Sequence, residues 1–394
     1  MTMTDTALHP APATSRRTVR ASAGATATTI ACVLPVFLVG GLAVQMGDDL
    51  GFSPAGLGLA VSVYFGISAL ASVPSGALVE RYGPAVVARA GILLSAGSLL
   101  TVAALARSYP VLVALLGLSA AANALGQLAS NAALARHVPA HRQGLSFGVK
   151  QAAIPVSTLL AGAAVPTIAL TAGWRWAFVA AAGAALIALP AVPPQERPRP
   201  ARPAAGRAGR ATWALVVVGL AATLAAAAAN ALGTFVVDSS ADRGLSPGLA
   251  GLTLTLGSAV CVAARVGAGW LADRRERGHV ALIAGMLVVG AAGLGLLAVA
   301  GPAPLVAGVV LGFGLGWAWP GLMNFAVVKL HPQAPAAATS ITQTGVYAGG
   351  CLGPLGLGTV AAHLGYPTMW SVAAASMLVA ATLMLTGSRL LTHP

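Results

Sequence analysis

Residues 76–83 read GALVERYG and residues 269–274 read GWLADR. From Gly76 to Gly269 is 193 residues, and the two stretches share glycine, leucine, a carboxylate and arginine in one order. Each lies between long apolar runs, which makes it a charged turn between hydrophobic segments. The same offset sets Asp49, Gly51, Ser53, Pro54 and Gly58 against Asp242, Gly244, Ser246, Pro247 and Gly251. It also sets Asn131, Arg136 and Pro139 against Asn324, Lys329 and Pro332. Alanine, glycine and leucine match by chance in such a chain; aspartate, proline and asparagine in one register do not. The chain is a tandem of two similar halves.

Composition says where such a tandem can live. Of 394 residues, 57% are hydrophobic and only 8% charged, too little charge for a soluble surface of this size. Twelve segments reach the roughly 20 apolar residues that a bilayer crossing needs. They are 25–47, 54–78, 85–106, 110–136, 144–168, 173–192, 212–237, 247–271, 279–300, 303–329, 337–362 and 366–388. Residues 193–211 are proline-rich, basic and too polar to span. The expected organisation is a tail at 1–24, a six-helix bundle at 25–192, a linker at 193–211, a second bundle at 212–388 and a tail at 389–394. The expected class is an all-α membrane protein of twelve transmembrane helices in two pseudo-symmetric bundles. An even number of crossings per half inserts both halves the same way, about an axis along the membrane normal.

Lys and Arg fix the orientation. With alternating crossings, seventeen fall on the side of the N-terminus and three, Arg107, Arg175 and Arg243, on the other. Lys150 and Arg265 lie inside segments. The positive-inside rule then puts both termini in the cytoplasm. The first apolar run is longer than a signal-peptide core and lacks a small-residue cleavage site. The excess of Arg over Lys, with the Ala and Gly bias, points to a bacterial cytoplasmic membrane.

Several function classes drop out. The net charge of +13 arises between apolar segments, so the membrane accounts for it and nucleic acid does not. Cys32, Cys261 and Cys351 are far apart, without disulfide or thiolate-metal spacing. Neither Lys150 nor Lys329 follows glycine in a P-loop pattern, and no HExxH is present. No metal or cofactor is expected, nor is the chain expected to be an enzyme. The expected partners are the bilayer, a small anionic solute, and protons, with the chain acting as a monomer. A membrane sensor or scaffold is the competing class.

With twelve segments, a basic central linker and the repeated turn, the chain resembles the major facilitator superfamily over nearly all its length. Its signature between helices two and three, G-x-L-x-D-R-x-G, stands here as Gly76, Leu78, Glu80, Arg81 and Gly83, with Glu80 where aspartate is usual. It returns as Gly269, Leu271, Asp273 and Arg274, followed by the additional Arg275, Glu276 and Arg277. The resemblance implies a secondary transporter working by alternating access. It also implies that Gly76, Glu80, Arg81, Gly269, Asp273 and Arg274 gate it, their charges pairing between the halves without touching substrate. The plainer alternative is that Arg81 and Arg274 only obey the positive-inside rule.

Polar residues inside crossings are costly and mark the candidate site. Lys150 and Arg265 each lie about six residues from the cytoplasmic end, about 9 Å deep at 1.5 Å per residue. Two cations at one depth in opposite halves suggest a pocket for an organic anion; the alternative is that both snorkel to the interface. Arg265 resembles the substrate arginine of monocarboxylate- and oxalate-type members. Further candidates are Tyr64, Asn123, Gln127, Asn230, Trp319, Gln343 and Tyr347. Asp48 and Asp238 are the candidates for proton coupling. An efflux carrier for amphiphilic compounds is the alternative cargo reading. Against it, the fourth segment lacks the arginine before Arg136 that drug antiporters carry there, and a glycine pattern ending at Gly353-Pro354 lies in the eleventh segment, not the fifth.

Overall fold

A computed structural model describes residues 12–52, 54–194, 208–245 and 247–392, and among them every regular element is helical. Eleven helices are long and apolar enough to cross a membrane. The last of them breaks at Gly365 (φ 78°, ψ 165°), so it crosses twice. We number the crossings α1 (Pro12–Gly41), α2 (Pro54–Tyr82), α3 (Pro84–Leu105), α4 (Tyr109–His137), α5 (Ala140–Ala164) and α6 (Trp174–Ile187). The second half holds α7 (Ala208–Asp242), α8 (Pro247–Asp273), α9 (His279–Leu297), α10 (Pro302–Leu330), α11 (335–364) and α12 (366–392).

Hydropathy marks where lipid begins, not where a helix begins, and three boundaries differ for that reason. α1 starts at Pro12 and not at residue 25, because Ala, Ser, Thr and Arg extend the helix beyond its apolar stretch. The extension is anchored: the Ser22 hydroxyl donates to Ser146 Oγ of α5 at 2.9 Å. α7 starts at Ala208, inside the expected linker. The first crossing ends at Gly41 and continues as a short helix, Ala43–Leu50. Residues 1–11 and most of the linker, including Arg197, Arg199, Arg202 and Arg207, lie outside the described residues.

The repeat holds at the level of backbone conformation. Gly51 and Gly244, repeat mates, both adopt positive φ (69° and 89°), a conformation that side chains disfavour. Each half has its own hydrophobic core, one built mainly between Ala31 and Val192 and the other mainly between Leu215 and Met384. The outer surface is apolar, with Leu70 and Ile187 about four-fifths exposed (80% and 79%), as a lipid-facing surface requires.

Between the halves, α2 packs on α11 and α5 packs on α8. Glycine makes the second contact possible. A Cβ on Gly144 or on Gly269 would collide with the other's carbonyl oxygen, so the two backbones touch. Within the second half, Gly345, Gly349 and Gly353 of α11 lie against the carbonyls of Gly219, Thr223 and Ala227 of α7, again without room for a methyl group. α10 is not a continuous helix. It widens into a π-turn at Gly312–Gly316 and breaks at Trp317 and Ala318 before resuming at Trp319, where Pro320 can supply no N–H to the preceding turn.

Candidate substrate cavity and gate

A cavity opens where the halves meet, lined by residues of α1, α2, α4, α5, α7, α8, α10 and α11. Its free space is about 50 Å³, room for a few water molecules but not for an organic solute. In this conformation the cavity is contracted.

Arg265 is 1% exposed, so it does not snorkel. The break in α10 turns the Trp317 carbonyl toward it, and that oxygen accepts from Arg265 Nε (3.3 Å) and Nη2 (2.9 Å). Across the interface, Arg265 Nη1 donates to the Gln151 carbonyl of α5 at 2.5 Å. Its guanidinium also lies 5.9 Å from the Trp317 ring centre, within cation–π range. A guanidinium has five N–H donors, of which these carbonyls take three, and the Cys261 thiol also lies within its reach. Beside it the Trp319 indole N–H is buried without a partner, as is the Gln151 side-chain oxygen. No Asp or Glu lines the cavity among the described residues.

Lys150 behaves differently from Arg265 although the sequence pairs them. It is 0% exposed, so it does not snorkel either, yet it does not line the cavity. Its ammonium donates to Gln127 Oε1 and, at 3.0 Å, to Asn131 Oδ1. The cation is a support beneath the α4 amides. Lys150 and Arg265 therefore do not form one pocket: only Arg265 reaches it.

Of the other candidates, Asn123, Gln127, Asn230, Trp319, Gln343 and Tyr347 all line the cavity. Tyr64 does not. It is buried with its hydroxyl donating to the Cys32 carbonyl at 3.1 Å, within the first half. The next residue, Phe65, turned about 100° around the helix, lines the cavity instead and stacks on Tyr347 at 6.1 Å. Asn123 and Gln343 lie beside the Tyr347 hydroxyl, short of hydrogen-bonding geometry. Gln151 and Phe65 were not among the expected site residues. A glutamine next to an intramembrane lysine was the available signal for Gln151; an aromatic in an apolar helix gives none. The side chains of Asp48 and Asp238 lie outside the described residues.

The repeated turns meet their opposite halves at the basic end of the bundle. Glu80 Oε1 accepts the Ala336 backbone N–H at the start of α11 (3.0 Å). Asp273 accepts the N–H groups of Gly144 (2.6 Å) and Leu145 (2.9 Å) near the start of α5. The carboxylates thus cross the interface to backbone, not to arginine. The early turns of a helix offer N–H groups and a positive dipole end that suit an anion. Glu80 also pairs with Arg136 of its own half at 3.4 Å. The signature arginines stay on their own side, Arg81 over Tyr82 (5.1 Å) and Arg274 over Trp270 (3.6 Å).

The Major Facilitator Superfamily profile matches residues 25–354 and 218–390. The chain belongs to the major facilitator superfamily. Solved superfamily structures share its architecture over nearly the whole chain at low identity. The proton:xylose symporter XylE is 16% identical with a TM-score of 0.79, covering 94% of this chain and 96% of its own. The human organic anion transporter MFSD10 is 16% identical with a TM-score of 0.73, covering 95% and 100%. The E. coli fucose:proton symporter FucP is 15% identical with a TM-score of 0.70, covering 93% and 98%. No curated protein matches the sequence significantly. Multi-pass membrane insertion and a transporter fold follow from the family; the cargo does not.

Proposed function

We propose that this superfamily member is a secondary transporter that carries a small organic anion by alternating access, with Arg265 receiving the carboxylate. The observation that carries the reading is a guanidinium 1% exposed on an interface cavity whose described lining holds no acidic side chain. A buried cation without a counterion is costly, and two backbone carbonyls offset only part of its charge. A carboxylate meets the guanidinium and the unpaired Trp319 indole by charge-assisted hydrogen bonds.

The gate fits this cycle. Carboxylates at positions 80 and 273 hold the basic end shut while the other end admits solute, and they release when the halves rock the other way. The distribution of Lys and Arg places the basic end and both termini in the cytoplasm. Symport with protons is supported by the sugar:proton symporters among the structural relatives, with Asp48 and Asp238 as the groups to test.

Uptake of labelled mono- and dicarboxylates into proteoliposomes tests the assignment. Arg265→Ala is expected to lower carboxylate uptake by at least about thirtyfold, the scale for unpairing a buried charge. Arg265→Lys, which loses the planar fork, is expected to recover little of it. Undiminished uptake in Arg265→Ala sinks the anion reading. Export of lipophilic compounds independent of Arg265 would favour the amphiphile-efflux alternative.

A further inference from the structure

We infer that the site recognises a hydroxylated carboxylate rather than a plain one; this rests on the anion reading above and specifies its cargo. It follows from the hydrogen bonding of two amides on α4. Ser68 Oγ donates its single hydrogen to the Ala120 carbonyl at 3.0 Å, so toward Asn123 it can only accept. Asn123 must then present its NH2 to Ser68, as it does at 3.3 Å. That leaves Asn123 Oδ1 facing the cavity, buried and without a partner. Gln127 lies one turn further along. Lys150 donates to Gln127 Oε1, which leaves the Gln127 NH2 toward the cavity that Gln127 lines. Amide orientation is set by partners, and here Ser68 fixes that of Asn123.

The cavity wall on α4 therefore carries an acceptor and a donor one helical turn apart. On α11, Gln343 and Tyr347, also one turn apart, face the same cavity with the Gln343 oxygen and Tyr347 hydroxyl unpaired. A hydroxyl group is the common small function that both donates and accepts, so adjacent hydroxyls satisfy this wall. An aliphatic chain leaves at least one of the Asn123 and Gln343 oxygens unpaired, because the Tyr347 hydroxyl beside them has a single hydrogen to give. The cation is elsewhere. Arg265 is on α8, which packs on α5, whereas α11 packs on α2 and α7. The site has an anion end at α5, α8 and α10, and a hydroxyl-reading wall at α4 and α11.

The full chain in lipid nanodiscs offers a direct binding readout, since Trp317 and Trp319 line the cavity and their fluorescence reports occupancy. Matched ligands differing only in hydroxyls are compared: propionate, lactate and glycerate, then hexanoate and gluconate, with glycerol as the neutral control. Glycerate is expected to bind at least about tenfold more tightly than propionate, and gluconate than hexanoate, as for a site that must fill its polar groups. Glycerol alone is expected not to bind. Asn123→Leu or Gln343→Met, each checked for unchanged thermal unfolding, is expected to flatten these ratios while propionate binding persists. Arg265→Ala is expected to abolish binding of every anion. If hydroxylated and plain acids bind equally and Arg265→Ala still abolishes both, the hydroxyl inference is wrong and the anion reading stands. Should no anion bind, or glycerol bind as well as glycerate, both fall.

Discussion

At the basic end, Glu80 reaches across to α11 and Asp273, its repeat mate, reaches across to α5, so each half latches the other by the same kind of bond. In the cavity the repeat survives only as position. Val33 and Ala226, Phe37 and Asn230, Ile154 and Tyr347 are repeat mates that line the cavity together, yet within two of these pairs one member is polar and the other is not. Arg265 has Ser72 as its mate and Lys150 has Gln343. On the proposed function, symmetry is kept where two conformations would exchange and given up where one solute would be told from another.

Several substitutions break or sharpen this comparison. The largest effect is expected where backbones touch. Gly269→Leu places a side chain into the Gly144 carbonyl and should keep the basic end from closing, abolishing proteoliposome uptake. Gly76, whose missing Cβ would lie 3.0 Å from the Ser340 Cβ, is expected to tolerate alanine with most uptake retained. Equal losses at both glycines would mean the two latches are equivalent after all.

Next come the carboxylates. Asp273→Asn keeps the shape but turns a double acceptor into one that presents an NH2 to a backbone donor. Charge-assisted bonds of this kind justify an expected loss of about tenfold in the closed population. Glu80→Gln, which can keep an oxygen toward its single backbone donor and gives up only the charge of that bond and a partly exposed ion pair, is expected to lose less. Accessibility of single cysteines placed at the basic end measures both.

A smaller change is expected from Lys150→Met. If the lysine positions Gln127 and does not bind cargo, the preference for hydroxylated over plain acids falls about threefold, while Arg265-dependent propionate binding is unchanged. A loss of all anion binding would return Lys150 to the pocket.

The smallest effect lies at the far end, where Asp49 accepts from the Trp174 indole (3.0 Å) and Arg175 (2.8 Å). The indole bond first, and the guanidinium second, hold its carboxyl below the usual carboxylate range. A depressed folded-state pKa stabilises above the ordinary value and is lost as pH falls through it. Asp49→Asn should lower Tm by about a degree at pH 7, and the difference should shrink as pH falls below the usual carboxylate range. The pair is solvent-exposed, and salt should weaken it further.

Much of this was legible in the sequence because a membrane supplies contrast. An asparagine or glutamine in an apolar helix stands out, so six of the amide and aromatic candidates could be named before their positions were known. Phe65 could not, since an aromatic there looks like any lipid-facing residue, and Tyr64 was preferred for its hydroxyl although it points into the first half. Lys150 and Arg265 share depth and charge; only their three-dimensional partners separate a support from a contact. The break in α10 was written as glycines at 312, 314 and 316 with Pro320 following, but hydropathy averages over such a stretch and reports one continuous span.

The glycine seam between α7 and α11 bears on how the second half can deform. Where carbonyls meet Cα atoms with no side chain between them, there is nothing soft to compress, and the two helices are stiff against each other. Compliance must then reside elsewhere, and α10 has already given up regular helix at Gly312–Gly316 and Trp317. The broken stretch of the second half thus coincides with the carbonyl that holds Arg265, so on the proposed anion reading drawing the guanidinium toward a solute would pull on that stretch.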